Sequence, residues 1–379
     1  MIDIEVKNLT TCFRTVKGDV TAVDDVSFSL KKGETLCIVG ESGCGKSVSA
    51  LSIMGLLSPS GYVKSGSAIF QDNNLLSMSS NQLEKLRGNR ISMIFQDPGS
   101  SLNPVMRIGD QVSEIFRIHL NMSKSQSLEK ALEMLKQVEI SDPESRMLAY
   151  PHELSGGMAQ RVMIAMALAC KPDILIADEP TTALDVTIQS QILNLMIQMQ
   201  SITKTAILLI THDLGVVAEI ADYVLVMYCG QVVEYGNVKT VFKNPVHPYT
   251  KALMKSIPVI GEKAKKLDAI PGRVPSLDFL PLGCRFEKRC TEKNVHITSD
   301  CEKRIPPIFD LNNNIQIFVF LLIYMVVRKK SHKLTKRKTS RKLTTRKFSK
   351  KQTKTSQKPK LSFFWTELSF AGVQSSVSH

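Results

Sequence analysis

Gly40 to Ser47 read GESGCGKS, and this stretch decides the fold because it meets the pattern GxxxxGK[ST] at every fixed position. It follows the apolar run Thr35 to Val39 (TLCIV) and precedes Val48 to Leu57, which reads as a helix. A strand, a glycine-rich loop and a helix in that order form a phosphate-binding loop. Gly40, Gly43 and Gly45 let the backbone curl until its N–H groups face phosphate oxygens. Glu41, Ser42, Cys44 and Val48 complete the cradle, and the following helix adds the positive end of its dipole. Lys46 is placed to reach the outer phosphates, and the Ser47 hydroxyl to ligate Mg²⁺.

A second stretch, Ile174 to Pro180 (ILIADEP), sets four apolar residues suited to a buried parallel strand ahead of two adjacent carboxylates. Side chains along a strand alternate in direction, so the pair can divide two tasks. Asp178 would hold Mg²⁺ through its water shell, and Glu179 would orient and deprotonate an attacking water. A positioned base contributes roughly a hundredfold to ten-thousandfold in rate. Alone, Asp-Glu at a strand end reads as solvated surface; after a phosphate loop it reads as the second half of an ATP site.

Leu154 to Arg161 (LSGGMAQR) make this generic signal specific. Together with ILIADEPTTALD (Ile174 to Asp185) and LLITHD (Leu208 to Asp213), this stretch resembles the nucleotide-binding subunit of an ATP-binding cassette (ABC) transporter, over roughly residues 1 to 310. The resemblance implies an α/β P-loop NTPase with a parallel-sheet core, a helical insertion subdomain and an antiparallel N-terminal sheet. It also implies that Gln96, in IFQDP, contacts both Mg²⁺ and the membrane partner and takes part in catalysis; the other reading is a polar residue opening a turn before Asp97 and Pro98. Asp185 matches a loop that crosses the dimer interface, and equally reads as a cap ahead of Val186 to Met199. His212 matches a switch histidine on the γ-phosphate. Phe13 could stack on adenine, although core packing explains a Phe there as well, and Phe28 competes for the role. Ser155, Gly156 and Gly157 would close over nucleotide held by an opposing ATPase subunit, so the single cassette requires a partner.

Finer details narrow the branch. Met158 follows the signature glycines, and LSGGMAQRVMIAMALA with DEPTTALDVTIQSQIL is similar to the oligopeptide and dipeptide importer ATPases. So are Asn244 to Pro258 (NPVHPYTKALMKSIP) and Ile270 to Cys290 (IPGRVPSLDFLPLGCRFEKRC). The resemblance implies a different ATPase as the opposing subunit, two membrane permeases, an extracytoplasmic solute-binding protein and no nucleic acid, on the cytoplasmic face of the inner membrane. Related members import nickel or other small solutes. A soluble ABC ATPase of repair or translation is the rival class; those carry a long coiled-coil insertion or two cassettes, and neither is visible in this sequence. The expected organisation is a nucleotide-binding domain over 4–255 with its helical insertion at about 97–160, an importer extension over 256–311 and an atypical tail over 312–379.

Composition is consistent with this organisation without establishing it: 379 residues at 43% hydrophobic content can bury a substantial core. The net charge of +14 suggests a nucleic-acid or membrane binder until the charges are located. Arg328 to Lys360 hold 16 Lys and Arg with no Asp or Glu, so the remainder of the chain is slightly negative. Ahead of that run, Ile315 to Val327 are 13 residues with Gln316 among them, short of the roughly 18 to 20 that span a bilayer. Three readings of the tail stand: a frame disruption near Asn312, a polybasic membrane-surface anchor, and a nucleic-acid-binding arm, which the scarcity of aromatics disfavours. The start, MIDIEVKN, lacks the basic, apolar and cleavage regions of an export signal.

Cys12, Cys37, Cys44, Cys170 and Cys229 sit singly in or beside apolar segments, as small buried residues do in a reducing compartment. Cys284, Cys290 and Cys301 cluster, and the resemblance implies an iron–sulfur cluster in some relatives. Such a cluster takes four thiolates. Three are available locally, and free thiols are the competing reading.

Overall fold

Long alternating segments open the chain. β1 (Ile2–Thr15) and β2 (Gly18–Lys31) pair antiparallel across a two-residue turn, and β1 turns Ile4 and Val6 inward between outward Glu5 and Lys7. β4 (Gly61–Phe70) and the short β5 (Asn73–Asn74) complete a four-stranded sheet in the order β2-β1-β4-β5. The computed structural model describes residues 2–182, 184–256, 270–292, 301–303, 308–311 and 315–318. These lie within one unit, Met1–Met325. The basic run and the C-terminal residues Leu361 to His379 fall outside the described residues, as do 257–269 and 293–300 of the extension.

A second sheet forms the core. β3 (Thr35–Val39), β6 (Ile91–Ile94), β7 (Ile174–Asp178), β8 (Ala206–Ile210) and β9 (Tyr223–Tyr228) run parallel, and β10 (Gln231–Asn237) turns back antiparallel on β9. β3, β7 and β8 are buried at every position, which is why they read as unbroken apolar runs. The carboxyl ends of β3, β6, β7 and β8 lead directly into Gly40, Phe95-Gln96, Glu179 and Thr211-His212. Open α/β sheets bind ligands at such ends.

Several helices begin before their apolar periodicity does. The insertion helices run Ile108–Leu120 and Lys124–Gln137, where apolar spacing alone suggests starts at Val112 and Ser127. Ser123 and Gln126 form a capping box that starts the second helix at Lys124. The signature helix, Gly156–Leu168, is capped by Ser155, whose hydroxyl accepts the Met158 N–H at 3.3 Å. Val186–Thr203 continues past Met199 to a left-handed Lys204.

The sheet also extends beyond the boundary expected at Leu311. β11 (Ile308–Leu311) and β12 (Ile315–Phe318) form a hairpin, and β12 pairs antiparallel with β10, placing Ile317 opposite Glu234. The first four residues of the apolar run thus add to a sheet edge, because an unpaired edge offers a row of N–H and C=O groups to any extended neighbour.

One buried acid ties β10 to the segment that follows it. The Glu234 carboxylate is fully buried and accepts the N–H groups of Val246 (3.0 Å) and His247 (2.9 Å). Burial pushes its carboxyl above the ordinary range, and these hydrogen bonds oppose the shift. Glu234→Leu should therefore lower stability by about 2–4 kcal/mol, the cost of two orphaned N–H groups, whereas Glu234→Gln should lose less than about 1 kcal/mol. Urea midpoints at constant m-value will separate the two variants.

Candidate active site

The phosphate loop follows β3 and is pressed between both sheets. A Cβ on Gly40 would lie 2.2 Å from the Met227 carbonyl oxygen of β9, and one on Gly45 would lie 2.6 Å from the Ala22 carbonyl of β2. Both glycines also hold positive φ, 154° and 99°; no other residue fits either the space or the backbone. Ser42 and Gly43 form the exposed crest of the loop, and Cys44 is buried beneath it. The Lys46 ammonium is buried and donates to the carbonyl oxygens of Gly40 (2.9 Å) and Glu41 (3.2 Å). Val48 lies half-buried in the first turn of the following helix, Lys46–Met54. Glu41 differs from its neighbours, because the Tyr249 hydroxyl accepts its N–H at 3.0 Å and its carboxylate meets Arg289. Both its N–H and its carboxylate thus have partners within the protein.

Two oxygen donors stand together beside Lys46: the Ser47 hydroxyl donates to Asp178 Oδ1 at 2.9 Å. Burial is the main reason the Asp178 carboxyl lies above its usual range; the Ser47 hydrogen bond opposes the shift, Glu179 adds to it and Lys46 counters it. Hard oxygen donors of this kind suit Mg²⁺.

Glu179 is held from three sides. Gln96 Nε2 donates to its Oε2 at 3.0 Å, Thr182 Oγ1 donates to the same oxygen at 2.9 Å, and His212 Nδ1 stands 3.4 Å from Oε1. Strand alternation was expected to separate Asp178 from Glu179, but β7 ends at Asp178 and Glu179 adopts a left-handed backbone, φ 48°. The turn, not the pleat, aims the two carboxylates apart. A non-glycine residue in this region costs about 1–3 kcal/mol, and here it is secured by the Glu179 N–H donating to the Ile210 carbonyl at 2.9 Å.

The remaining expected residues lie apart from this cluster. Ser155 and Gly156 are exposed at the signature helix N-terminus, and a Cβ on Gly157 would come within 3.0 Å of Ile188. Asp185 caps its helix by accepting the Ile188 N–H at 2.9 Å. Phe13 is half-buried on β1, pairs with Val20 and Gly61, and has its ring over Gly61; Phe28 is core. Cys284 and Cys290 pack against the core, and the Cys284 N–H donates to the Cys301 carbonyl at 2.7 Å. Burial pushes the Cys284 thiol up to about 11. Among the described residues no three His, Cys, Asp or Glu side chains converge as a metal set. Three local cysteines fall one short of the four thiolates such a cluster takes.

Beside Gln96 runs an open apolar groove of about 310 Å³, lined by residues that include Met54, Leu56, Met93, Phe95, Leu102 and Met163. Leu56 and Phe95 are exposed along it.

Comparison with known proteins gives the family. Residues 23–182 match the ABC transporter family, and residues 233–296 match the C-terminal region of oligopeptide/dipeptide transporters. The oligopeptide transport ATP-binding protein AppD of Bacillus subtilis is 55% identical over 288 residues, which make up 76% of this chain and 88% of that protein. The oligopeptide transport ATP-binding protein OppD of Escherichia coli is 53% identical over 287 residues, 76% of this chain and 85% of its own. Among solved structures, a dimeric ATP-binding cassette in a post-hydrolysis state bound to ADP and Pi matches at TM-score 0.56 and 28% identity, covering 62% of this chain and 98% of that one. The cbiO1 protein of Clostridium perfringens, part of the ABC transporter complex cbiONQ, matches at TM-score 0.54 and 29% identity, covering 64% and 91%.

Thr182 was not among the residues singled out from sequence, though it lies in the same DEPTT run; a Thr three residues after an acid carries no signal until the turn brings them together. Its hydroxyl shares the Glu179 oxygen with Gln96. Thr182→Val should therefore lower kcat about tenfold while leaving KM for ATP within about twofold, as loss of one of two aligning bonds predicts. Steady-state ATPase assays will read the split.

Proposed function

The chain belongs to the ATP-binding subunits of the oligopeptide branch of ABC transporters, and from that membership and the site geometry we infer that it hydrolyses ATP to energise the import of oligopeptides or dipeptides. The observation that carries the reading is Glu179 at the end of β7, held by Gln96 and Thr182 with His212 beside it, across from a complete phosphate loop. We assign 4–255 to the nucleotide-binding domain, with the helical insertion at about 97–160, and 256–311 to the importer extension.

Each part of the site has a physical task in this reading. The loop N–H groups and the Lys46 ammonium receive the phosphates, with Lys46 exchanging its carbonyl partners for phosphate oxygens. Ser47 and Asp178, with Gln96, would hold Mg²⁺. When bound, the metal neutralises charge on the phosphate oxygens. Glu179 orients water and takes its proton, and the bonds from Gln96 and Thr182 keep one carboxylate oxygen occupied so that the other faces the reaction. His212, beside Glu179, is proposed to donate to the γ-phosphate. Phe13 is proposed to stack on adenine.

A working unit pairs two chains, with Ser155, Gly156 and Gly157 meeting ATP held by the opposing ATPase. Support comes from the exposure of Ser155 and Gly156 at the start of a 13-residue helix, whose positive end suits an anion. The groove beside Gln96 is the proposed seat of a permease segment, so that its movement reaches Glu179 through a single side chain. No helix among the described residues is long and apolar enough to cross a membrane. The chain is proposed to sit peripherally on the cytoplasmic face through two permeases, with an extracytoplasmic binding protein delivering solute.

Glu179→Gln should reduce kcat by roughly a hundredfold to ten-thousandfold with ATP affinity retained. A rate equal to wild type would refute the assignment of the base. Leu56→Asp should leave the ATPase of the isolated chain unchanged and release it from membranes that contain its permeases, scored by fractionation.

A further inference from the structure

Two segments within the region that matches oligopeptide/dipeptide transporters, 244–256 and 270–290, stand outside the hydrolysis chemistry, yet both converge on one residue of the phosphate loop. Arg289 Nη1 and Nη2 grip the Glu41 carboxylate in a fork at 2.6 and 3.0 Å. The guanidinium is almost wholly buried, donates Nε to the Pro271 carbonyl at 2.9 Å and Nη1 to the Tyr228 hydroxyl at 3.3 Å, and lies 5.7 Å from the Tyr228 ring centroid. From the other segment, the fully buried Tyr249 accepts the Glu41 N–H at 3.0 Å. Tyr249 is itself fixed: its N–H donates to His247 Nδ1 at 3.1 Å, and its ring packs on Tyr228 and Phe286. Glu234 secures the His247 backbone in turn.

Glu41 therefore has its N–H and its carboxylate both held by the chain that follows β10, while its carbonyl accepts from Lys46. Rotation of the Glu41 peptide would move the carbonyl that meets the Lys46 ammonium. A bidentate Arg–carboxylate pair resists that rotation, because its planar fork admits one orientation. It also neutralises a carboxylate that sits inside a site built for a polyanion. Without Arg289 that charge would stand uncompensated in a largely buried setting and oppose the phosphates.

We propose that Arg289 and Tyr249 are positioning residues for ATP binding: together they hold Glu41, and through it the phosphate loop, in its nucleotide-accepting curl, so that the chain following β10 sets the ATP affinity of the cassette. This rests on the assignment of the loop as the ATP site.

The test uses the purified full-length chain and a fluorescent ATP analogue with Mg²⁺, alongside steady-state ATPase kinetics. Arg289→Ala should weaken binding by at least about tenfold and raise KM in step, with kcat at saturating ATP within about twofold. Adding Glu41→Gln to that variant should restore most of the affinity by removing the stranded charge. Tyr249→Phe should weaken binding about threefold to fivefold with kcat unchanged. If Arg289→Ala binds like wild type, or if Glu41→Gln brings no recovery, the proposal is wrong. Should Arg289→Ala fail to fold, Arg289→Lys and Tyr249→Phe decide: wild-type affinity in both overturns the proposal, and a loss confined to KM supports it. A wild-type chain that bound no nucleotide would instead refute the ATP-site assignment, leaving a separate and recognisable result.

Discussion

The phosphate loop has no free volume on its inner side, and the rest of the molecule is arranged around that fact. Gly40 lies against the Met227 carbonyl of the core sheet and Gly45 against the Ala22 carbonyl of the antiparallel sheet. The loop is thus a spacer between the two sheets as well as a ligand cradle. Interiors packed near crystal density transmit displacement instead of absorbing it. A shift of either sheet must therefore pass through the loop, and its crest, Ser42 and Gly43, is the part left exposed.

Charge is distributed with the same economy. Lys46 lies buried, satisfied by two loop carbonyls, while Asp178 stays within a hydrogen bond of Ser47. Neither group is left without a polar partner, so both can be held out of bulk water without the full penalty of an isolated ion. Their partners are weak competitors for phosphate and metal, respectively. Holding reactive groups on exchangeable partners lets the site stay folded and still receive a highly charged substrate.

Local patterns in the sequence report local structure well here. β3 matches its apolar run residue for residue, because a strand buried on both faces has no alternation to blur its ends. Helix starts were less legible: Ser123 and Gln126 begin a helix on capping chemistry before the first apolar position appears. The motifs single out Gln96, Glu179 and His212, which lie together, but the left-handed turn at Glu179 and the Thr182 bond depend on how β7 ends. Least legible was the bond between Glu41 and Arg289, which are 248 positions apart; no pattern in either segment names the other. The hairpin at Ile308–Leu311 and Ile315–Phe318 was obscured for a related reason, since edge pairing depends on what β10 offers and not on the run itself.

The backbone of Glu179 sets stability against chemistry at a single position. Its positive φ is one that glycine accepts freely and asparagine tolerates, while a glutamate holds it at a cost of about 1–3 kcal/mol. In a library screened for thermal resistance alone, the easiest gain at this site is to lose the carboxylate. Such a screen would enrich chains that fold more tightly, still present the phosphate loop, and have lost the carboxylate proposed as the base. Any effort to harden this protein therefore has to select for turnover in the same round.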